Sequence, residues 1–260
     1  MRVRTGSVAL ITGGARGIGL GIARALAQRG VRLVLTDVDA PALRRSGEEL
    51  AELTDVRTHR LDVRDRVAFA AVADEAEQEF GEVDLLFNNA GIVPFSTVDE
   101  MTYDKWDLAL DVNLNGVVNG VQTFLPRMAG RGRGHIVNTA SGAGLVADPN
   151  FLYVTAKFAV VGLSESLRLA AAGRGVEVSV LCPGPVDTGI VAHTRSLEAG
   201  VGLPDDLVPS VEAFLRSGPG IDEVGEGVVA AVEAGKQWIF TGDEVRVWVR
   251  KRMEALLESA

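Results

Sequence analysis

Tyr153 and Lys157 stand four residues apart in Tyr153-Val-Thr-Ala-Lys157, so on a helix the phenol and the ammonium share one face. A free tyrosine titrates near pH 10 and is a poor base at neutral pH. Turning it into a proton acceptor there takes a fall of about three units, or roughly 4 kcal/mol of preference for the phenolate. One ammonium about 4 Å away, at an effective dielectric of about 20, supplies about that much. The spacing is therefore energetically sufficient for a tyrosine that gives and takes a proton.

A second group of residues suits a phosphate-bearing ligand. Thr12-Gly13-Gly14-Ala15-Arg16-Gly17-Ile18-Gly19 follows a short apolar run and opens a helical pattern. Glycine lets the backbone turn tightly against a pyrophosphate, and the helix behind it offers unpaired N–H groups and a positive dipole end. Asp37 closes the next apolar run, 18 residues after Gly19, near the spacing of an acid that accepts from an adenosine ribose 2′-hydroxyl. A carboxylate there repels a 2′-phosphate by about 1 kcal/mol in water and about 4 at an effective dielectric of about 20. That range is roughly fivefold to nearly a thousandfold and predicts NAD over NADP. Arg16 is the opposing signal, because a guanidinium inside the turn can reach a phosphate. Asp37, set against the ribose itself, outweighs it.

These residues need rigid elements behind them. Val8–Thr12, Arg32–Thr36, Val56–Leu61, Val83–Phe87, His135–Thr139, Glu177–Cys182 and Gln237–Thr241 read as seven strands. Helical patterns begin near Ile18, Pro41, Arg66, Tyr103, Tyr153 and Glu223. Such alternation predicts one doubly wound α/β domain over 1–260, a parallel sheet flanked by helices. Two stretches break the rhythm. The segment 188–221 is too long for an ordinary connection and reads as a lid over a substrate. The segment 243–259 places Val245, Trp248, Val249, Met253, Leu256 and Leu257 at helical spacing, an extra C-terminal amphipathic helix.

In this order and at these intervals the motifs resemble the classical short-chain dehydrogenase/reductase family, with its Rossmann fold. The resemblance rests on the turn at 12–19, Asn88-Asn89-Ala90-Gly91, Asn113 in Val-Asn-Leu, Ser141, the Tyr153–Lys157 pair, and Pro183-Gly184-Pro185-Val186-Asp187-Thr188. It covers about residues 5–190 and implies hydride transfer between a nicotinamide cofactor and an alcohol or ketone. By that resemblance Tyr153 takes or donates the substrate proton, and Lys157 lowers its pKa and bonds the nicotinamide ribose. Ser141 orients the substrate oxygen, while Asn113 holds a helix irregularity and a proton-relaying water. Gly13, Arg16, Gly17, Ile18, Gly19 and Asp37 would bind the dinucleotide. Asp62 and Val63 look like adenine contacts, and Asn89 and Gly91 would line the adenosine-ribose side. Pro183, Val186 and Thr188 would hold the carboxamide end. Many members end just after the seventh strand, so the last helix is a departure. The resemblance also implies a homodimer or homotetramer in which the helices beginning near Tyr103 and Tyr153 pack across a two-fold axis.

Composition narrows the partners. The chain has 260 residues and a net charge of −9, which disfavours nucleic acid and anionic membrane as partners. Its apolar run at the N-terminus is too short for a signal peptide, and no stretch approaches a membrane span. A cytoplasmic protein is expected. The single cysteine, Cys182, excludes an internal disulfide and reads as a small buried hydrophobe. His59, His135 and His193 lack metal-ligand spacing, so no metal is expected and surface or core roles are assigned to them. Small or apolar residues after Ser141 (Gly142 to Val146), with Pro94, Phe95 and the lid, predict a hydrophobic, cyclic secondary alcohol or ketone. An NADPH-dependent 3-oxoacyl-carrier-protein reductase is the nearest alternative, disfavoured by Asp37 and the acidic charge. An extended-family epimerase or dehydratase shares the Tyr–Lys spacing but has a longer chain. A non-catalytic NAD sensor would be expected to lack the tyrosine or the lysine.

Overall fold

The first strand, β1 (Val8–Thr12), is buried at every residue, as a strand covered by helices on both faces must be. Its side chains alternate between two cores. Val8 and Leu10 join Phe69, Phe124 and Val160 on one side of the sheet; Ala9 and Ile11 join Ile22, Leu43 and Val228 on the other. The computed structural model describes residues 3–197 and 201–259.

Seven strands lie in the order β3-β2-β1-β4-β5-β6-β7, every pair parallel. The others are β2 (Arg32–Asp37), β3 (Val56–Arg60), β4 (Leu85–Asn88), β5 (Gly134–Thr139), β6 (Val176–Cys182) and β7 (Trp238–Phe240). Helices α1 (Gly17–Ala27), α2 (Ala40–Leu50) and α9 (Ile221–Glu233) contribute to one core. Helices α3 (Arg66–Phe80), α5 (Gly116–Arg131) and α6 (Phe151–Ala171) contribute to the other. The chain leaves the sheet edge at β3 and returns beside β1 as β4. A crevice therefore opens beyond the carboxyl ends of β1 and β4, where ligands of such sheets bind.

The strands were all anticipated, the first with the bounds expected and the other six with shifted ends. The fourth begins at Leu85 rather than Val83 and runs on to Asn88, and the seventh narrows to Trp238–Phe240. The helix expected near Tyr153 starts at Phe151, because Asn150 Oδ1 accepts from the Tyr153 N–H at 3.4 Å and caps it. The helix expected from Tyr103 is interrupted. It runs as α4 (Tyr103–Leu110), then a π-helical segment Asp111–Asn115, then α5. The stretch 188–221 contains α7 (Ile190–Leu197) and α8 (Val208–Arg216), while its residues 198–200 lie outside the described ones. After β7 comes α10 (Glu244–Glu258). Among the described residues no helix is long and apolar enough to cross a membrane.

Candidate active site

The crevice at the switch between β1 and β4 is a cleft of about 970 Å³, at the upper end of small-molecule sites. One end is built by the glycine turn. Thr12, the last residue of β1, uses its hydroxyl to accept from the Asn89 and Ala90 N–H groups at 2.9 and 3.0 Å. Asn89 Nδ2 donates back to the Thr12 carbonyl at 3.1 Å. These bonds lock the turn after β1 to the turn after β4. Gly17 sits at φ +53° against Thr188, where a β-carbon would be strained. Gly19 does not line the cleft. It lies so close under the turn that a β-carbon would strike the Gly13 carbonyl. Its missing side chain lets α1 approach the turn.

The features at this end fit a dinucleotide. Helix α1 starts at Gly17 with no side-chain cap among the described residues, so its first N–H groups are free for a pyrophosphate. Asp37 is 6% exposed on the cleft wall. Its Oδ2 accepts from the Ala15 N–H at 3.2 Å and its Oδ1 from the Asp39 N–H at 3.0 Å. Four lone-pair sites on the carboxylate leave room for a ribose hydroxyl. Asp39, which the sequence did not single out, caps α2 by accepting from the Ala42 N–H at 2.9 Å. That bond comes first in holding its carboxyl below the usual range, with Arg16 adding to it. Arg16 donates to Asp39 through Nη2. The guanidinium that opposed Asp37 in the sequence is thus tied to a second carboxylate. Asp62 and Val63 also line the cleft. So does His193 from α7, which lies near Arg16, Asp37 and Asp39. This corrects the surface or core role expected for it; burial pulls its pKa down.

The other end gathers the titratable residues. Ser141 follows β5 and its Oγ accepts from the Ala143 N–H at 3.1 Å, starting a short 3-10 turn, Gly142–Gly144. The same side chain faces the Tyr153 phenol and favours its ionised form. Lys157, only 3% exposed, donates through Nζ to the Thr139 carbonyl at 3.0 Å. Its Nζ lies 5.6 Å from the centre of the Tyr153 ring. Asn113 does not reach the cleft. It is fully buried in the π-helical segment, where Oδ1 accepts from the Ile92 N–H and Nδ2 donates to the Ala109 carbonyl, each at 3.1 Å. Gly91 adjoins Asn113 Oδ1 and Lys157 Nζ, 3.0 and 3.4 Å from where its β-carbon would be. It lines the cleft next to Asn89 and Ala90. Pro183, Val186 and Thr188 line the cleft between the two ends.

The electrostatic expectation is reversed in the chain by itself. Burial pushes the Tyr153 phenol up to about 12, with the Ser141 side chain opposing. Burial also pulls the Lys157 ammonium down to about 8. The ammonium is anchored on a carbonyl rather than aimed at the phenol oxygen, so desolvation of the phenolate wins. Cys182 is buried and burial pushes its thiol up to about 12, in keeping with an inert core residue. His135 is fully buried against the Ser179 hydroxyl at 2.8 Å, a core role as expected. Among the described residues no group of three or more His, Cys, Asp or Glu is placed to hold a metal.

A sequence profile described as short chain dehydrogenase matches residues 7–199. The chain belongs to the short chain dehydrogenase family. A relative from Sphingobium sp. (strain NBRC 103272 / SYK-6), named C alpha-dehydrogenase, is 36% identical over 265 residues, covering 97% of this chain and 86% of that one. D-threitol dehydrogenase of Mycolicibacterium smegmatis is 39% identical over 182 residues, covering 68% and 69%. A short chain dehydrogenase/reductase from Burkholderia phymatum, solved in complex with NAD, superposes with a TM-score of 0.92. It is 36% identical and covers 100% of this chain and 97% of that one. This short-chain dehydrogenase is thus an oxidoreductase acting on alcohol and ketone groups.

Sequence reading missed the scaffold behind the dehydrogenase site. Asn88 Nδ2 donates to Asn138 Oδ1 at 2.9 Å, and Asn138 Nδ2 donates to Ser164 Oγ at 3.0 Å. This buried chain ties β4 and β5 to α6, the helix carrying Tyr153 and Lys157. Polar residues inside otherwise apolar strands were its only signal. Asn138→Ala should destabilise the protein by about 1–3 kcal/mol for each partner left unpaired. Denaturant unfolding measures this, and an unchanged midpoint would show the chain to be dispensable.

Proposed function

We propose that the protein is an NAD-dependent dehydrogenase of hydrophobic, ring-bearing secondary alcohols and their ketones. The observation that carries this reading is the gathering of Tyr153, Ser141 and Lys157 at one end of a cleft whose other end holds Asp37. In the oxidising direction the O–H proton of the substrate passes to the Tyr153 oxygen while the C–H hydride leaves the same carbon. Bound NAD supplies the hydride acceptor and a positively charged ring near the phenol. Ser141 positions the substrate oxygen, and Lys157, held by Thr139, reaches the nicotinamide ribose. Asn113 holds the π-helical irregularity and Ile92. Gly13, Gly17, Ile18 and the Asp37–Asp39 pair hold the phosphate and adenosine side, with Asp62 and Val63 at the adenine. Pro183, Val186 and Thr188 take the carboxamide end.

The substrate side favours apolar compounds: Phe95, Leu108, Val112, Val146, Val191 and Leu203 line it. Helices α7 and α8 serve as the lid. A cytoplasmic setting goes with a reaction that draws on the cell's dinucleotide pool. We also place a homodimer or homotetramer on α4, α5 and α6, where Tyr103, Val118 and Leu169 are exposed apolar positions. Light scattering should give a mass at least twice 27.5 kDa; a monomer at micromolar concentration would contradict this.

A screen of alcohols and ketones against NAD(H) and NADP(H), followed at the reduced-nicotinamide absorbance, tests the reading. Turnover of apolar ring compounds with NAD is expected, and strict preference for NADPH or no turnover at all would overturn it. The pH dependence has a definite sign. Oxidation needs the phenolate and reduction the phenol, so kcat/KM for oxidation should rise from pH 6 to 9, while that for reduction, which starts from a phenol beside an uncharged reduced nicotinamide, should stay level. Initial rates in both directions check this, and parallel profiles would exclude Tyr153 as the shared group.

A further inference from the structure

Resting on the reading above, we propose that Trp248 of α10 and Phe214 of α8 determine specificity by forming an aromatic wall for a flat apolar ring borne on the reacting carbon of the substrate. The family match ends at residue 199, so both residues lie in parts of the chain that the shared motifs do not cover.

Helix α8 is the first observation. No residue of α8, all of them described, is buried, yet Val211, Phe214 and Leu215 face the cleft. An amphipathic helix normally lays its apolar face on protein. Here that face lies over the cleft, and an apolar ligand is what would cover it.

Helix α10 supplies the opposite side. Its first turn is seated firmly: Val245 is fully buried, and the Glu244 carboxylate fills the space that β-carbons at Gly184 and Gly242 would occupy. Farther along, Met253, Leu256 and Leu257 are exposed, so the docking is concentrated at the start of the helix. Trp248, one turn after Glu244, is thereby aimed into the cleft. Its Cζ3 and Cε3 atoms lie 3.0 and 3.3 Å from where a Gly142 β-carbon would be. Gly142 adjoins Ser141, so the indole reaches the residue next to the reacting group. The Phe214 and Trp248 rings stand 6.3 Å apart at 34°, a tilted corner suited to a third ring by offset or edge contact. A flexible linear chain would cover the same area but lose rotamer freedom that a ring does not have.

The test compares acetophenone with methyl hexyl ketone, a linear ketone of equal carbon count, in wild type, Trp248→Ala, Phe214→Ala and Trp248→Phe. NADH-driven kcat/KM is measured for both, and calorimetry follows binding of each ketone to the NAD-loaded protein. In wild type the ring compound should be preferred. Trp248→Ala and Phe214→Ala should each lower the ring-over-linear ratio by about 10- to 100-fold, mainly through KM, and Trp248→Phe should restore most of it. An unchanged ratio, including equal loss on both ketones, would assign the two aromatics a merely structural part and overturn the proposal. Preference for the linear ketone, or binding of neither, would also overturn it. If wild type reduces no ketone but binds acetophenone, and Trp248→Ala weakens that binding by a similar factor, the wall stands and the reaction assigned above fails instead.

Discussion

Tyr153→Phe should lower kcat by about 10²- to 10⁴-fold, the usual worth of one positioned acid–base group, while NAD affinity and the unfolding midpoint stay close to wild type. The reasoning is local. The phenol oxygen is the one Tyr153 atom that exchanges a proton, and the ring that packs in α6 is retained. Ser141 still accepts from the Ala143 N–H, so the loop beyond β5 keeps its turn. Any residual oxidation should also lose its rise with pH, because the titrating group is gone. A variant with wild-type kcat would remove Tyr153 from the chemistry. A variant that lost cofactor binding and stability together would make it a structural residue.

The second large effect concerns the cofactor. Asp37 lines the cleft, where the proposed reading would set it against a 2′-phosphate, and Asp39, two residues on, occupies the Arg16 guanidinium. Each charge near a phosphate costs between about 1 and 4 kcal/mol according to its screening. Asp37→Ser should therefore shift the NAD/NADP ratio of kcat/KM toward NADP by roughly fivefold to nearly a thousandfold. Adding Asp39→Asn should shift it further, because it frees Arg16 while the amide oxygen still caps α2. The double variant is the sharper test: it has to bind NADP more tightly than Asp37→Ser alone. Equal NADP dissociation constants in the two variants, measured by fluorescence titration, would show that the Arg16–Asp39 pair plays no part.

How far the sequence could be read follows from the range of each interaction. The glycine turn and the Tyr153–Lys157 pair are local patterns, and period-2 and period-3.6 hydrophobicity carried the alternating elements. Strand pairing follows from that alternation, so the parallel sheet was legible too. What escaped is set by contacts between distant segments. Spacing placed an ammonium on the face of the phenol, but not the Thr139 carbonyl that holds it. Charge type put Arg16 against Asp37, whereas Asp39 at the α2 cap takes the guanidinium. The π-helical segment carries no periodic signature of its own, since one extra residue per turn does not alter the residue types, and it was the resemblance, through Asn113, that implied an irregularity there. Periodicity found α10 correctly, but that its first turn docks beside Gly142 and Gly184 depends on residues far back in the chain.

Burial raises the Tyr153 phenol in the cofactor-free protein, and the proposed reaction requires it to become a base once NAD is bound. The chain holds only two tyrosines, and the other, Tyr103, is 88% exposed, so Tyr103→Phe leaves Tyr153 as the sole phenol. Ultraviolet titration of phenolate in that variant, with and without saturating NAD, measures the claim directly. Without NAD the phenolate should appear only in strongly alkaline solution, toward pH 12; with NAD it should appear about three units lower or more. Identical titrations in the two conditions would contradict the account.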